Sequence, residues 1–76
     1  MKTIEESVKF VTLKHDVDVY ECKDDCITAQ AHHELEVFKE NGKYCFCYSS
    51  HLGLGFWMPK TLIESTREIN RKVNII

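Results

Sequence analysis

The chain is short of the residues that usually punctuate a fold. It has one proline and three glycines in 76 residues, and all three glycines fall between residues 42 and 55. No Gly/Ser/Pro linker, internal repeat or low-complexity tract appears, so nothing divides residues 1–76 into more than a single domain. At that length one hydrophobic core only just offsets chain entropy. A run of the ~18 apolar residues that a membrane span needs is lacking, and the opening Met-Lys-Thr-Ile-Glu-Glu has no apolar leader-like segment. Both absences point to a cytoplasmic protein.

A positive field is missing too. Ten Lys and Arg stand against twelve Asp and Glu, a formal net charge of −2, which gives a polyanion nothing to hold and argues against direct nucleic-acid binding. Leu52-Gly53-Leu54-Gly55-Phe56 has Gly-x-Gly without a third glycine or a Lys-Ser/Thr, so it is no phosphate cradle. No Ser, Cys or His motif marks a nucleophile and its base. The chain is expected to be non-catalytic and to need no cofactor.

Four cysteines and four histidines are present, yet Cys-x2-Cys is not. Structural zinc favours tight knuckles that bring two sulfurs to one ion. Cys22 and Cys26 flank a turn, whereas Cys45 and Cys47 stand about 7 Å apart along a strand by its rise. A metal is therefore not expected. If one were bound, Cys22, Cys26, Cys45 and Cys47 would be its ligands. In a reducing compartment the four should remain thiols.

What is present is mostly β-pattern. Lys39-Glu40-Asn41-Gly42-Lys43 carries the Asn-Gly signal of a two-residue hairpin. That loop pairs Val37 with Phe46, Leu35 with Tyr48, Glu36 with Cys47 and Phe38 with Cys45. From Val11 to Val37 apolar residues keep a period of two, and a three-residue loop at Lys23-Asp24-Asp25 sets Val19 opposite Ala29, Val17 opposite Ala31 and Cys22 opposite Cys26. Thr3 and Glu6 form a capping-box pattern, but Val8-Lys9-Phe10-Val11 favours a strand from about Val8. Residues 52–58 alternate as a last strand. Beyond Pro59, Leu62, Thr66, Ile69 and Val73 follow at helical spacing, with Glu64–Arg67, Glu68–Arg71 and Glu68–Lys72 as surface pairs. The expected class is α+β: a small antiparallel sheet or SH3-like barrel of four or five strands over 8–58, with a C-terminal amphipathic helix over about 60–73.

The run KYCFCYSSHLGLGFWMPKTLIE, residues 43–64, resembles the closing part of an SH3-like barrel, where an aromatic strand, a short turn, a Gly-aromatic strand and a Pro-initiated turn follow in order. The resemblance implies a small-barrel topology. It carries over no polyproline-groove residues: the opening reads FVTLKHD where SH3 domains have an Ala-Leu-Tyr-Asp-Tyr type sequence, and Leu62 or Ile63 stands where their Tyr follows the proline.

Two features point to a binding role. Asp16, Asp18, Glu21, Asp24 and Asp25 make residues 16–25 acidic, with Lys23 as the only base, and such a hairpin can steer a basic partner. Tyr44, Tyr48 and Trp57 belong to a set of aromatics too large for one side of a small sheet to hide, and exposed Tyr and Trp suit protein contact. The sequence thus reads as a small protein-binding module with those eight residues at its interface. Small solitary domains of phage and mobile elements that block a host nuclease, polymerase or defence complex are the nearest analogy, and a basic nucleic-acid-handling protein is the expected partner. A homodimer through the aromatic face is the other use of that surface. The alternative is a zinc-stabilised regulatory module that contacts nucleic acid.

Overall fold

A computed structural model describes residues 2–21 and 26–75. Seven strands follow in order: β1 Lys2–Leu13, β2 Val17–Glu21, β3 Cys26–Ala29, β4 Leu35–Asn41, β5 Tyr44–Ser49, β6 Leu54–Pro59 and β7 Ile63–Ile75. One turn of 3₁₀-helix, Lys60–Leu62, separates β6 from β7. All strand pairs are antiparallel. A five-stranded sheet has the order β6-β5-β4-β1-β7, and β2-β3 forms a separate hairpin. Among the described residues no helix is long and apolar enough to cross a membrane.

The core lies on one face of the sheet. Val11 and Leu13 of β1, Leu35 of β4, Cys45 and Cys47 of β5, and Phe56 and Met58 of β6 are buried together with Ala29 of β3. Val17 and Val19 pack against them, which seats the β2-β3 hairpin over the inner face. Apolar side chains at alternate positions of four neighbouring strands are what a half-buried sheet requires.

The C-terminal helix is not there, and the class is nearly all β rather than α+β. Ile63, Ile69, Val73 and Ile75 all occupy odd positions, so this stretch carries a period of two as well as one near 3.6. Four β-branched residues from Thr66 to Ile75 disfavour the helix. What decides is the partner: β1 offers a ladder from Lys2↔Ile75 to Leu13↔Ile63. The charges that look like helical surface pairs then bind across strands. Arg71 Nε donates to Glu6 at 2.9 Å, and Arg67 donates to Glu34 through Nε at 3.0 Å and Nη2 at 2.8 Å. Pro59 ends β6 and precedes only the single 3₁₀ turn Lys60–Leu62, not a helix over 60–73. Likewise β1 begins at Lys2 and not at Val8, so the capping-box pattern of Thr3 and Glu6 is overruled by the same ladder.

Two registers also differ from expectation. The β4-β5 turn is centred on Gly42 and Lys43, with Asn41 opposite Tyr44. Gly42 has φ 62°, and among the described residues only glycines have positive φ, which fits a turn needing one left-handed residue at its first central position. A bulge between Val37 and Lys39 then shifts the ladder, so Val37 faces Cys47 and Glu36 faces Tyr48. Leu35, Val37, Cys45 and Cys47 thereby share the core side. In the other hairpin Val17 faces Ala29 and Glu21 faces Cys26, with a bulge between Asp18 and Tyr20. That leaves Ala29 alone of the alanines in the core. Cys26 thus faces Glu21 and not Cys22 as expected; Cys22 itself lies outside the described residues.

Candidate partner-binding face

The strand alternation that buries Cys45, Cys47, Phe56 and Met58 turns their neighbours outward. Tyr44, Phe46 and Tyr48 on β5 and Trp57 on β6 project from the opposite face, with Phe46 directly across from Trp57 and Tyr48 across from Gly55. Phe38 joins them at the β4 bulge. Its ring lies 5.9 Å from that of Tyr48, and the Phe46 and Trp57 rings lie 5.4 Å apart. Tilted pairs at these separations are favourable ring contacts. Trp57, Tyr44 and Phe38 keep 53%, 53% and 54% of their surfaces exposed, and Tyr48 keeps 37%.

Gly55 shapes this face. A Cβ there would lie 2.7 Å from Cζ and 3.0 Å from Cε1 of Phe46, so the missing side chain is what lets the Phe46 ring lie down against β6 beside Trp57. Glu36 and Lys39 occupy β4 opposite Tyr48 and Phe46, one charge of each sign. Further along the sheet, Arg67 lies 4.9 Å over the Phe10 ring while holding Glu34. Arg67 donation keeps the Glu34 carboxyl below the usual carboxylate range. Glu40 is held low in the same way by Lys60, and then by Lys9, at 3.2 and 3.3 Å. These ion pairs are exposed and add little stability. Lys9, Lys60, Arg67 and Arg71 are thus each paired with a carboxylate.

The acidic group is arranged otherwise. Asp16 Oδ1 accepts from the Ala31 backbone N–H at 2.8 Å, and Asp18 accepts from the Thr28 hydroxyl at 2.9 Å. The Cys26 thiol and then Thr28 hold the Asp18 carboxyl below its ordinary range. Both acids therefore tie the β2-β3 hairpin together. Glu21 ends β2 opposite Cys26, and Asp24 and Asp25 lie outside the described residues. The structure brings together Tyr44, Tyr48 and Trp57 and sets Asp16 and Asp18 on another element.

Cys45 and Cys47 are free thiols, buried to 1% and 0% exposure, with their sulfurs 3.5 Å apart. The 7 Å spacing expected from strand rise is a backbone distance, and the side chains lean together within the core. Burial, with Cys45 beside it, pushes the Cys47 thiol up to about 12. Cys26 is exposed on the hairpin, and Cys22 is outside the described residues. Among the described residues no three His, Cys, Asp or Glu side chains are arranged to hold a metal ion.

Three features escaped sequence reasoning. Phe38 and Phe46 belong to the aromatic face, which only the bulge and the shifted register reveal. Gly55 supports it, and the alternation of glycine with large residues in 53–57 was the available signal. His32, His33 and His51 form a row with ring separations of 4.1 and 4.0 Å, beside a shallow depression of about 480 Å³ that Phe10, Glu34 and Ser50 also line. Nδ1 of His33 is buried without a hydrogen-bond partner. Burial, then His51 and His32, hold this imidazole below its ordinary range. Comparison with protein-family models, curated proteins and solved structures gives no match to this chain.

Proposed function

We propose that the chain is a small non-catalytic protein-binding module whose contact surface is the aromatic outer face of β4, β5 and β6. The observation that carries this reading is the contiguity of Phe38, Tyr44, Phe46, Tyr48 and Trp57 on one solvent-facing side, three of them more than half exposed. A soluble domain does not ordinarily leave so much aromatic surface together unless something covers it. Tyr and Trp carry binding energy at protein interfaces because they bury a large area with few rotatable bonds.

The sign of the surroundings favours a protein over a single-stranded nucleic acid. Stacking platforms for bases need a basic groove, whereas here Arg67 and Arg71 are held by Glu34 and Glu6, and Lys39 on this face is accompanied by Glu36. Asp16 and Asp18 serve the hairpin first, so steering of a basic partner by the acidic residues is secondary to the aromatic contact. The order of β5, a short turn, β6 and the 3₁₀ turn after Pro59 supports the SH3-like reading of residues 43–64. A cytoplasmic setting, in which Cys45 and Cys47 would stay reduced, is part of this reading. A module that covers a partner's surface without chemistry of its own suits an inhibitor, as in the phage analogy.

The test is quantitative affinity enrichment from a host lysate with two baits, wild type and Tyr44→Ala/Trp57→Ala, both shown folded by circular dichroism. A protein enriched by wild type and lost from the variant is expected. Equal enrichment by both baits would remove the aromatic face from the interface, and enrichment of single-stranded nucleic acid would replace the partner class.

A further inference from the structure

β1 and β7 run on together far beyond the sheet. β4 accompanies β1 only at Lys9, Phe10 and Val11, whereas the β1-β7 ladder continues to Lys2↔Ile75. Residues 2–8 and 69–75 thus form a two-stranded ribbon on a molecule measuring 49 × 24 × 23 Å. From Lys2 to Val8 one edge of β1 has no ladder partner among the described residues. Two strands alone are marginal in water, and an open edge is a template for another strand. The ribbon also shows apolar surface: Ile4 is 45% and Ile75 44% exposed, with Ile4 paired to Val73.

We propose that a second copy of the chain covers this edge, two β1 strands pairing antiparallel about a twofold axis at Ile4 to give a continuous β7-β1-β1-β7 sheet. The choice follows from register. When the axis stands normal to the sheet, facing residues lie on the same side only if both are odd or both even. Centred on Ile4, the strands set Ile4 against Ile4, and Lys2 of each against Glu6 of the other. Centred on Glu5 or Glu6 they set acid against acid, and centred on Thr3 they set Lys2 against Ile4. The outer edge of β7 has no equal solution. Axes at Arg67, Glu68 or Arg71 oppose like charges, an axis at Ile69 opposes Arg67 to Arg71, and an axis at Asn70 sets Ile69 against Arg71 and Val73 against Arg67.

At the Ile4 axis an apolar row, Val73-Ile4-Ile4-Val73, is flanked on both sides by Arg71-Glu6-Lys2. Within each protomer Arg71 already holds Glu6 at 2.9 Å. Opposite charges and apolar pairs set directly across strands are the favourable ones.

Size-exclusion chromatography with light scattering over a concentration series tests this, using wild type, Ile4→Lys, Ile4→Glu and an equimolar mixture of the two variants. Ile4 lies outside the core, so both variants should melt with the wild-type body, and circular dichroism checks it. Wild type should shift from monomer to dimer with concentration. Each variant alone should dimerise at least about tenfold more weakly, and the mixture should recover dimer as a heterodimer, since opposite charges then meet at the axis. In parallel, amide exchange in residues 2–8 should slow with wild-type concentration. A wild type that stays monomeric throughout, a dimer that both variants leave intact, or a mixture that stays monomeric would each overturn the proposal.

Discussion

In a Cys22→Ser/Cys26→Ser background the only thiols left are Cys45 and Cys47, and their reactivity reports which side of β5 faces the core. The thiolate is the reactive form. Burial pushes the Cys47 thiol from 9.0 up to about 12, so near pH 8 its thiolate fraction falls by about three orders of magnitude relative to an ordinary thiol. Occlusion acts in the same direction, because both side chains are at most 1% exposed. Labelling must then wait for opening of the fold, whose population is ~10⁻³ or lower in a typical small domain. The assay is the rate of reaction with an aromatic disulfide reagent at pH 8, with and without denaturant. Native protein should react at least about a thousandfold more slowly than unfolded protein. Both thiols reacting at the unfolded rate without denaturant would show that β5 is turned over, with Phe46 and Tyr48 in the core. The aromatic face would then not exist.

Other expectations follow from the same structure. Leu35→Ala empties a side chain that is 1% exposed and should cost about 2–5 kcal/mol, against a total near 4–11 kcal/mol for a domain of this size; urea melts would measure it, and a cost below ~1 kcal/mol would remove Leu35 from the core. His33 is held below its ordinary value of 6.5, so the unfolded chain binds more protons than the fold in the window just under that value. Its contribution to stability is therefore complete above about pH 6.5 and is lost as pH falls towards the folded value. Melting temperature should drop through that window less in His33→Gln than in wild type, and identical profiles would exclude the row. Gly55→Ala should displace the Phe46 ring and weaken partner binding, while stability changes by no more than about 1 kcal/mol because the clash is with the mobile end of a side chain.

How much of this could be read from the chain differs by element. Alternation at Val17 and Val19, and at Leu35 and Val37, marked core strands because one face of each is apolar and the other is not. The aromatic surplus around Tyr44 and Trp57 likewise announced exposed rings, since their number exceeds what one small face can cover. β7 was hidden because its apolar residues satisfy two periods at once, and only the presence of β1 as a ladder partner chooses between them. The hairpin register was hidden by the bulge at Phe38. Asn41-Gly42 located the turn to within one residue, but the centring on Gly42 and Lys43 and the bulge at Phe38 together move Val37 from Phe46 to Cys47, and no local signal in Glu36-Val37-Phe38-Lys39 marks the insertion. The His row was invisible because His32-His33 and His51 sit on different loops that only the completed sheet brings together.

Trp57 is the single tryptophan of the chain, and it stands in the proposed interface on the edge strand β6 with 53% of its surface exposed. Labelling it as 5-fluorotryptophan gives one ¹⁹F signal, free of any contribution from the captured partner. In the free protein that signal should show a solvent isotope shift between H₂O and D₂O typical of an exposed ring. On saturation with the partner it should move, and the isotope shift should collapse as the face is covered. An unchanged signal with an undiminished isotope shift in the saturated complex would mean that the partner binds elsewhere and would contradict the assignment of the aromatic face.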